Sequence, residues 1–324
     1  MNLRRRFLTA VCLVPALLAF NAWSAGLQWL DIPAEGPAPA LRGAVWYPCA
    51  QAGTAVRLGP SLTLEVARDC PVNAKALPLV IVSHGSGGSF AGHHDTAQYL
   101  ADHGFVVAAI SHPGDHFQDR GRQGELSIFG TRAMDMRRLL DFMLQRWSGH
   151  DALDAKRVGL FGFSRGGTTG LILSGASADL RMARRLCQQF PDAPLCDPAQ
   201  AVDTAPAMPP ADARIRAAVI ADPFPLFSHQ ALQQVAIPIQ LWASTQGGDG
   251  VDPQDAMQIR EGLPAQLVEF HEVPAGHFAF LAPCQGNAPR APLCMDPPSF
   301  DRTQFHQRLN AQVLAFFRRH LTSQ

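Results

Sequence analysis

Short apolar runs alternate with helical patterns along most of this chain, and that alternation limits the possible folds more than any other feature. Helical periodicity covers residues 134–147 and 301–321. Strands are predicted at residues 44–47, 79–82, 105–110, 158–161, 215–220, 237–242 and 266–273. Strands that alternate with helices form βαβ units, so we predict an α/β fold with a mostly parallel central sheet flanked by helices.

The composition fits one large globular domain and does not suggest a nucleic-acid-binding protein. The chain has 324 residues, of which 47% are hydrophobic and 17% are charged, so it has enough apolar side chains for a sizeable core. Lys and Arg together number 27, as do Asp and Glu, which gives a net charge of zero. A chain without a basic surplus has little to neutralise phosphates, and we expect no nucleic-acid partner.

Residues 1–25 have the pattern of a signal peptide. Three arginines at positions 4–6 precede an apolar run over residues 7–20, and small residues follow, so cleavage is expected after Ser24 or Ala25. The run of arginines also fits a twin-arginine signal loosely. The apolar run is too short for a comfortable membrane span. We therefore predict a periplasmic or secreted protein whose mature domain, residues 26–324, has no stable membrane span.

The cysteines agree with export to an oxidising compartment. Once Cys12 is removed with the signal, six cysteines remain, and CxxC pairs typical of zinc sites are absent from the sequence. Short-range pairing has the lowest loop-closure cost. We therefore predict the disulfides Cys49–Cys70, Cys187–Cys196 and Cys284–Cys294.

Two segments interrupt the regular alternation. Residues 49–75 are predicted to be irregular. Residues 175–213 contain a helical piece at 180–190 followed by a stretch rich in Pro and Ala. They form an insertion after the helix that follows the predicted strand at 158–161. This insertion is either a lid over the carboxyl edge of the sheet or a surface excursion without substrate contact.

The strongest chemical signal is the sequence Gly-Phe-Ser-Arg-Gly at residues 162–166. It lies between the predicted strand at residues 158–161 and a helix predicted from residue 165 onward, which is the setting that a nucleophile elbow requires. Glycines on both sides of the serine permit a sharp strand-to-helix turn that lifts the hydroxyl clear of the sheet. Ser164 is therefore the predicted nucleophile.

A serine nucleophile needs a base, and the base needs an acid to orient it. His277 is placed best among twelve histidines, because it directly follows the last predicted strand. Asp249, which follows the strand at 237–242, is the preferred acid, and it completes the chain order Ser–Asp–His of this triad type. Asp222 and Asp252 are the alternatives.

Two backbone N–H groups must stabilise the oxyanion of such a reaction. One is expected from Arg165, directly after the nucleophile, and the other from Ser86 in the glycine-rich segment 83–88. That segment lacks the lysine of a phosphate-binding P-loop, so a phosphate cradle is disfavoured.

Histidine-rich motifs at residues 93–95 and 112–116 raise the question of a metal site. Adjacent histidines on a helix point to different sides, and the sequence has no HExxH pattern, so we expect neither a metal nor a cofactor.

Phe163, Phe278 and Phe280 flank the predicted site, either as an apolar acyl pocket or as core residues.

Three segments together resemble a known group of proteins: SHGSGGSFAGH at residues 83–93, GFS at 162–164, and GHFAFL at 276–281 before a Pro-Cys pair. They resemble exported bacterial proteins called predicted dienelactone hydrolases, which are similar to platelet-activating-factor acetylhydrolases and to secreted polyester- and lipid-cleaving hydrolases. The resemblance implies an α/β-hydrolase fold, a Ser–His–Asp triad and no cofactor.

The chain departs from that group in two ways. True dienelactone hydrolases use a cysteine nucleophile, whereas Ser164 stands here, so the resemblance says little about the substrate. The acetylhydrolases place their acid after the preceding strand, which corresponds to Asp222.

These observations predict a serine hydrolase that cleaves carboxylic esters of small molecules or lipids through an acyl-enzyme. A peptidase, thioesterase or acyltransferase with the same triad is the first alternative. A non-catalytic secreted binding protein with the same fold is the second, because a fold does not guarantee a function.

Overall fold

The computed structural model describes residues 24–59, 62–72, 74–189, 196, 208–285 and 292–322. Their strands form one sheet in the order β10-β9-β8-β7-β5-β6-β2-β1-β4-β3. The strands are β1 Ser24–Ile32, β2 Leu41–Cys49, β3 Thr54–Arg57, β4 Thr63–Arg68, β5 Leu77–Ser83, β6 Val106–Ser111, β7 Leu153–Phe163, β8 Ile215–Ala221, β9 Ile239–Ser244 and β10 Val268–Val273. The α-helices are α1 His94–Asp102, α2 Ile128–Gln145, α3 Arg165–Leu173, α4 Leu180–Gln189, α5 His229–Leu232, α6 Pro253–Gly262 and α7 Arg302–Phe317.

The centre of the sheet is parallel, as the alternation predicts. The strands β6, β5, β7, β8, β9 and β10 all run in the same direction, and β2 joins them antiparallel to β6. Every residue of β5 is buried, because helices cover both faces of the sheet. Leu79 and Ile81 pack into the core under α2 and α3, while Val80 and Val82 face the core under α1 and α7.

The prediction of an irregular segment at residues 49–75 is wrong. This stretch forms β3 and β4, an antiparallel pair at one edge of the sheet. Three of the four residues of β3 are exposed, and β4 alternates exposed and buried positions for most of its length. Such short, half-exposed edge strands lack the continuous apolar run by which the central strands are recognised.

The three predicted disulfide pairs are joined in the structure. The Cα–Cα distances are 6.4 Å for Cys49–Cys70, 5.3 Å for Cys187–Cys196 and 5.9 Å for Cys284–Cys294. Disulfides are rare in reducing cytosol, so the three bridges indicate an oxidising compartment. None of the helices in the described ranges combines the length and hydrophobicity that a membrane span needs.

Two predicted segments fall partly outside the described residues. Residues 1–23 of the predicted signal peptide lie outside them, while Ser24 and Ala25, the two candidate cleavage positions, form the start of β1. Within the insertion at 175–213, the helical piece is α4, and residues 190–195 and 197–207 lie outside the described ranges. The signal peptide and the lid therefore stay predictions.

The parallel central strands bring their carboxyl ends to one edge of the sheet. The segments that leave β5, β7, β8 and β10 at this edge carry Ser86, Ser164, Asp222 and His277. In open α/β sheets ligands bind outside the carboxyl ends of the strands, where the segments that follow the strands come together. The fold thus collects residues that are far apart in the sequence.

Candidate active site

Ser164 occupies a sharp turn between β7 and α3. Its backbone has φ 55° and ψ −122°, a left-handed conformation that is unfavourable for a residue with a side chain. Its N–H donates to the carbonyl of Ala221 at 2.8 Å, which ties the turn to β8. A Cβ on Gly162 would collide with the carbonyl of Gly166, and a Cβ on Gly166 would collide with that of Ser83. The two glycines are therefore required by close backbone contacts at the elbow.

His277 begins a short 3₁₀ turn, His277–Phe280, soon after β10 ends. Its backbone N–H donates to the carbonyl of Gly247 at 2.7 Å, and its ring stacks on Phe163 with 4.6 Å between centroids. Because Phe163 directly precedes Ser164, this stacking holds the imidazole beside the elbow. The His277 side chain is almost completely buried.

Asp222 is the acid that contacts this histidine. Its Oδ2 lies 2.9 Å from His277 Nδ1, and both side chains are buried. The carboxylate also accepts hydrogen bonds from the backbone N–H of Ser244 at 2.7 Å and from the Ser244 hydroxyl at 2.5 Å. Asp222 follows β8 directly and has φ 41°, so a strained turn aims its side chain across the end of β9. The carboxylate is thereby fixed in one orientation.

The preference for Asp249 as the partner of His277 does not agree with this geometry. Asp249 lies five residues beyond β9 in a turn with φ 52°, and its side chain is exposed. Neighbouring atoms still cover part of its carboxyl group, and this desolvation raises the pKa of Asp249, while the nearby charges of His277 and Arg165 oppose that rise. The other alternative, Asp252, accepts a hydrogen bond from Gln254 N–H and caps α6.

Position along the sequence does not distinguish Asp222 from Asp249, and the reason is physical. The strands β8 and β9 are neighbours that end at the same edge, so an acid after either one can reach the histidine loop. Asp249 is carried outward by the turn 247–250, in which every residue has positive φ. The hydrogen bonds from Ser244 to Asp222 distinguish this acid from Asp249. They depend on the register between β8 and β9, which the spacing of residues in the sequence does not reveal.

The second ring nitrogen of His277 is positioned as a proton acceptor. The Nδ1–H donates to the Asp222 carboxylate, which leaves the lone pair on Nε2. Nε2 is buried and has no hydrogen-bond partner among the described residues. Hydrogen bonds between nucleophile and base commonly tighten only when substrate binds. The arrangement can therefore remove a proton from a hydroxyl that approaches Nε2.

Of the two predicted oxyanion donors, one lies at the start of α3 and the other in the loop after β5. Arg165 is the first residue of α3, and the N–H groups in the first turn of a helix have no partner within the helix. Ser86 is in the loop after β5, and a Cβ on its neighbour Gly85 would lie 3.2 Å from Ser164 Cβ. The loop after β5 thus passes directly beside the elbow.

The two histidine motifs differ in their contacts: His112 makes buried hydrogen bonds, whereas neither ring nitrogen of His93 has a hydrogen-bond partner among the described residues. In the described ranges, no group of three or more His, Cys, Asp or Glu side chains is arranged to hold a metal ion. His93 packs against Phe161 and Phe163, with centroid distances of 5.0 and 5.4 Å. Burial lowers the pKa of His93 to about 4, so the ring is neutral at physiological pH.

The flanking phenylalanines belong mainly to the core. Phe163 and Phe280 are buried, and their ring centroids lie 6.1 Å apart. Phe278 is half-buried, with its centroid 5.7 Å from that of His277. Of the three, Phe278 has the most surface available to a bound molecule.

Comparisons with known proteins agree with this architecture. A solved ferulic acid esterase from Streptomyces cinnamoneus superimposes with a TM-score of 0.63 at 18% sequence identity, covering 96% of this chain and 93% of that one. The chain has the α/β-hydrolase fold. Matches extend to 1067 chains of solved structures, and so widespread a fold does not decide the reaction.

Sequence comparisons are more limited. Residues 74–225 match the family model described as Hydrolase_4, serine aminopeptidase, S33. That segment includes the loop after β5, the elbow and Asp222, but not His277. No curated protein matches the sequence. Neither this family model nor the ferulic acid esterase is described as a dienelactone hydrolase, so that part of the resemblance stays an expectation.

Proposed function

We propose that this protein is a serine hydrolase that cleaves carboxylic esters through an acyl-enzyme on Ser164. The observation that carries the proposal is the hydrogen bond between Asp222 and His277, which leaves a lone pair on His277 Nε2 beside the elbow. Ser164, Asp222 and His277 follow β7, β8 and β10 at the carboxyl edge of the sheet, and the ring of Phe163, next to Ser164, stacks on that of His277. Structural packing alone does not require a buried acid, a buried base and a strained serine at one place.

In the first half of the reaction, Ser164 Oγ attacks the ester carbonyl while His277 Nε2 takes the hydroxyl proton. Asp222 stabilises the imidazolium that results and keeps the ring in the required tautomer. The tetrahedral intermediate collapses, the bond to the alcohol oxygen breaks, and His277 returns its proton to that oxygen. The alcohol leaves, and the acyl group remains on Ser164.

In the second half, water attacks the acyl-enzyme and gives its proton to His277. The second tetrahedral intermediate releases the carboxylic acid, and the proton returns to Ser164 Oγ. Both intermediates carry a negative oxygen, for which we propose the backbone N–H groups of Ser86 and Arg165 as donors.

A peptidase is the second candidate, because the matching family model is described as an aminopeptidase. It would use the same residues, with His277 protonating an amine instead of an alcohol. The esterase neighbour covers nearly the whole chain, whereas the family model covers residues 74–225. We therefore favour esters as the substrate class.

We also propose that the enzyme acts outside the cytoplasm. The support is the set of three disulfides together with the signal-like N-terminal sequence. Its substrates would then be small-molecule or lipid esters of the periplasm or the surroundings of the cell.

The test is a matched panel of p-nitrophenyl esters and aminoacyl p-nitroanilides, assayed with the disulfide-bonded protein. Esters should be cleaved, and Ser164→Ala should abolish turnover while Ser148→Ala, a change at an exposed serine, should not. Cleavage of the anilides alone would favour the peptidase. Full activity of Ser164→Ala would refute the proposed mechanism.

A further inference from the structure

A second chain of Ser, His and Asp side chains lies behind the loop after β5. His112 Nε2 is 3.0 Å from Ser83 Oγ, and His112 Nδ1 is 3.0 Å from Asp135 Oδ2. All three side chains are buried, and Ser83 and His112 have no exposed surface. Ser83 has no surface at all to offer a substrate, so this chain needs a role other than catalysis.

The backbone of His112 links this chain to His84. The N–H of His112 donates to His84 Nε2 at 3.0 Å. A backbone N–H can only donate, so Nε2 must accept and the ring proton of His84 must sit on Nδ1. Burial, reinforced by the charge of Arg132, lowers the pKa of His84 to about 3, so the neutral ring persists at physiological pH.

His84 in turn fixes the peptide between Gly85 and Ser86. Its Nδ1–H donates to the carbonyl of Gly85 at 2.6 Å, and that carbonyl also accepts the N–H of Gly88 at 3.1 Å. In a trans peptide the C=O and the next N–H point in opposite directions. The carbonyl of Gly85 is therefore held on one side, and the N–H of Ser86 points to the other.

The remainder of the loop is held by a buried ion pair. Arg132 Nη1 lies 2.7 Å from Asp115 Oδ2, and Arg132 Nη2–H donates to the carbonyl of His84. Asp115 Oδ1 accepts the Ser86 hydroxyl at 2.9 Å and the N–H of Gly87 at 3.2 Å. The loop thus has fixed partners on both sides of the peptide that carries the Ser86 N–H.

We propose that His84 is a positioning residue that aims the N–H of Ser86 at the oxyanion, and that His112 and Asp135 hold His84 for this task. The inference rests on the proposed function, since the oxyanion belongs to that reaction. It differs from a purely structural role in one respect: it requires a donor at the Nδ1 position of residue 84.

Two substitutions separate the two ring nitrogens. In His84→Asn the side-chain amide falls near the position of Nδ1 and can donate to the Gly85 carbonyl. In His84→Gln the amide falls near the position of Nε2 and can accept from the His112 N–H, but the donor to Gly85 is lost. Both variants are polar and smaller than histidine, so each serves as the control for the other. A third variant, His84→Ala, removes both the contact with the Gly85 carbonyl and the contact with the His112 N–H.

The experiment measures kcat and KM with a p-nitrophenyl ester, and it measures the rate at which a fluorophosphonate labels Ser164. The kcat values are calculated per active site, and the concentration of active sites is taken from the end point of the labelling reaction. Loss of one oxyanion-hole donor costs about 10²–10³ in kcat, and we expect losses of about tenfold to a hundredfold in His84→Gln and His84→Ala. Their KM should stay within about twofold of wild type. His84→Asn should retain most of the wild-type kcat.

Equal kcat values for His84→Asn and His84→Gln would overturn the inference, as would losses that vanish after correction for active-site content. Failure of the proposed function looks different: the wild type would label on Ser164 but cleave no ester, or would not label at all. If the wild type labels on Ser164 but cleaves no ester, the labelling rates of His84→Asn and His84→Gln still test the role of His84, because the proposal predicts slower labelling in His84→Gln. If His84→Ala does not fold, the Asn and Gln pair carries the test.

Discussion

Asp222 and His277, 55 residues apart in the chain, meet at 2.9 Å in the interior of the protein. The pair is oriented from both sides. Asp222 is held by two donors of Ser244, and His277 is held by Phe163 and the carbonyl of Gly247. In a Ser–His–Asp hydrolase such an acid keeps the imidazole in the tautomer that accepts the serine proton.

The first prediction distinguishes the two acids. Asp222→Asn should lower kcat by about 10⁴, the cost found when a triad acid becomes an amide, while the fold is kept. Asp249→Asn should change kcat by no more than about tenfold, because it removes only a charge at the rim of the site. Steady-state kinetics with one ester decide between them, and a larger loss in Asp249→Asn would reverse the assignment.

The second prediction concerns acid stability through His93. Its pKa is about 4 in the folded chain against an ordinary value of 6.5, because burial outweighs the opposing charge of Asp95; His306 and His94 lower the pKa further. Between these two pH values the unfolded chain binds more protons, so the free energy of unfolding falls as the pH falls from about 6.5 to about 4.

His93→Phe should weaken that pH dependence, since phenylalanine keeps the ring packing and has no proton to bind. Urea unfolding at several pH values from 4 to 7 measures it. His229→Phe, the same change at an exposed histidine, should leave the slope of the wild type unaltered. Parallel curves for wild type and His93→Phe would contradict the prediction.

The third prediction compares a buried ion pair with an exposed one. Arg132→Met leaves Asp115 buried without its main partner and should reduce the free energy of unfolding by about 3–5 kcal/mol. Arg146→Met breaks the exposed pair with Glu35 and should reduce the free energy of unfolding far less, because water screens that pair. Denaturant unfolding of both variants provides the comparison. Equal costs would show that the Arg132 contact adds nothing beyond a surface pair.

The fourth prediction ranks two disulfides. Replacing both Cys49 and Cys70 by Ala should reduce the free energy of unfolding by about 2–4 kcal/mol. The same replacement of Cys187 and Cys196 should cost roughly 0.7 kcal/mol less, because that bridge spans 9 residues in sequence and the first spans 21. Urea unfolding of the two double variants measures the difference, and the reverse order would be inconsistent with loop-closure entropy as its cause.

The central sheet and the elbow were predictable because their signals are local. Apolar runs mark β5 to β10, and the spacing of Gly162, Ser164 and Gly166 marks a turn that only small flanking residues permit. The edge strands β3 and β4 escaped prediction because half-exposed strands lack such runs. The choice between Asp222 and Asp249 depended on where a turn carries a side chain, which spacing does not encode.

The side-chain contacts that hold the loop after β5 could not be predicted from the sequence either. His84, His112 and Asp135 come from three separate elements, and their contacts exist only once β5, β6 and α2 are packed together. In the sequence, the histidines and aspartate at 112–116 resemble a set of metal ligands. Their actual contacts are hydrogen bonds within the protein, a distinction that requires the positions of the partners.

Mass mapping of a fluorophosphonate adduct is the most direct test of the central claim that Ser164 is an activated nucleophile. The disulfide-bonded protein should gain one adduct on the peptide that contains Ser164. The labelling rate should fall sharply in His277→Ala and Asp222→Asn but not in Asp249→Asn. An adduct on another serine, or no adduct on the folded protein, would contradict the account.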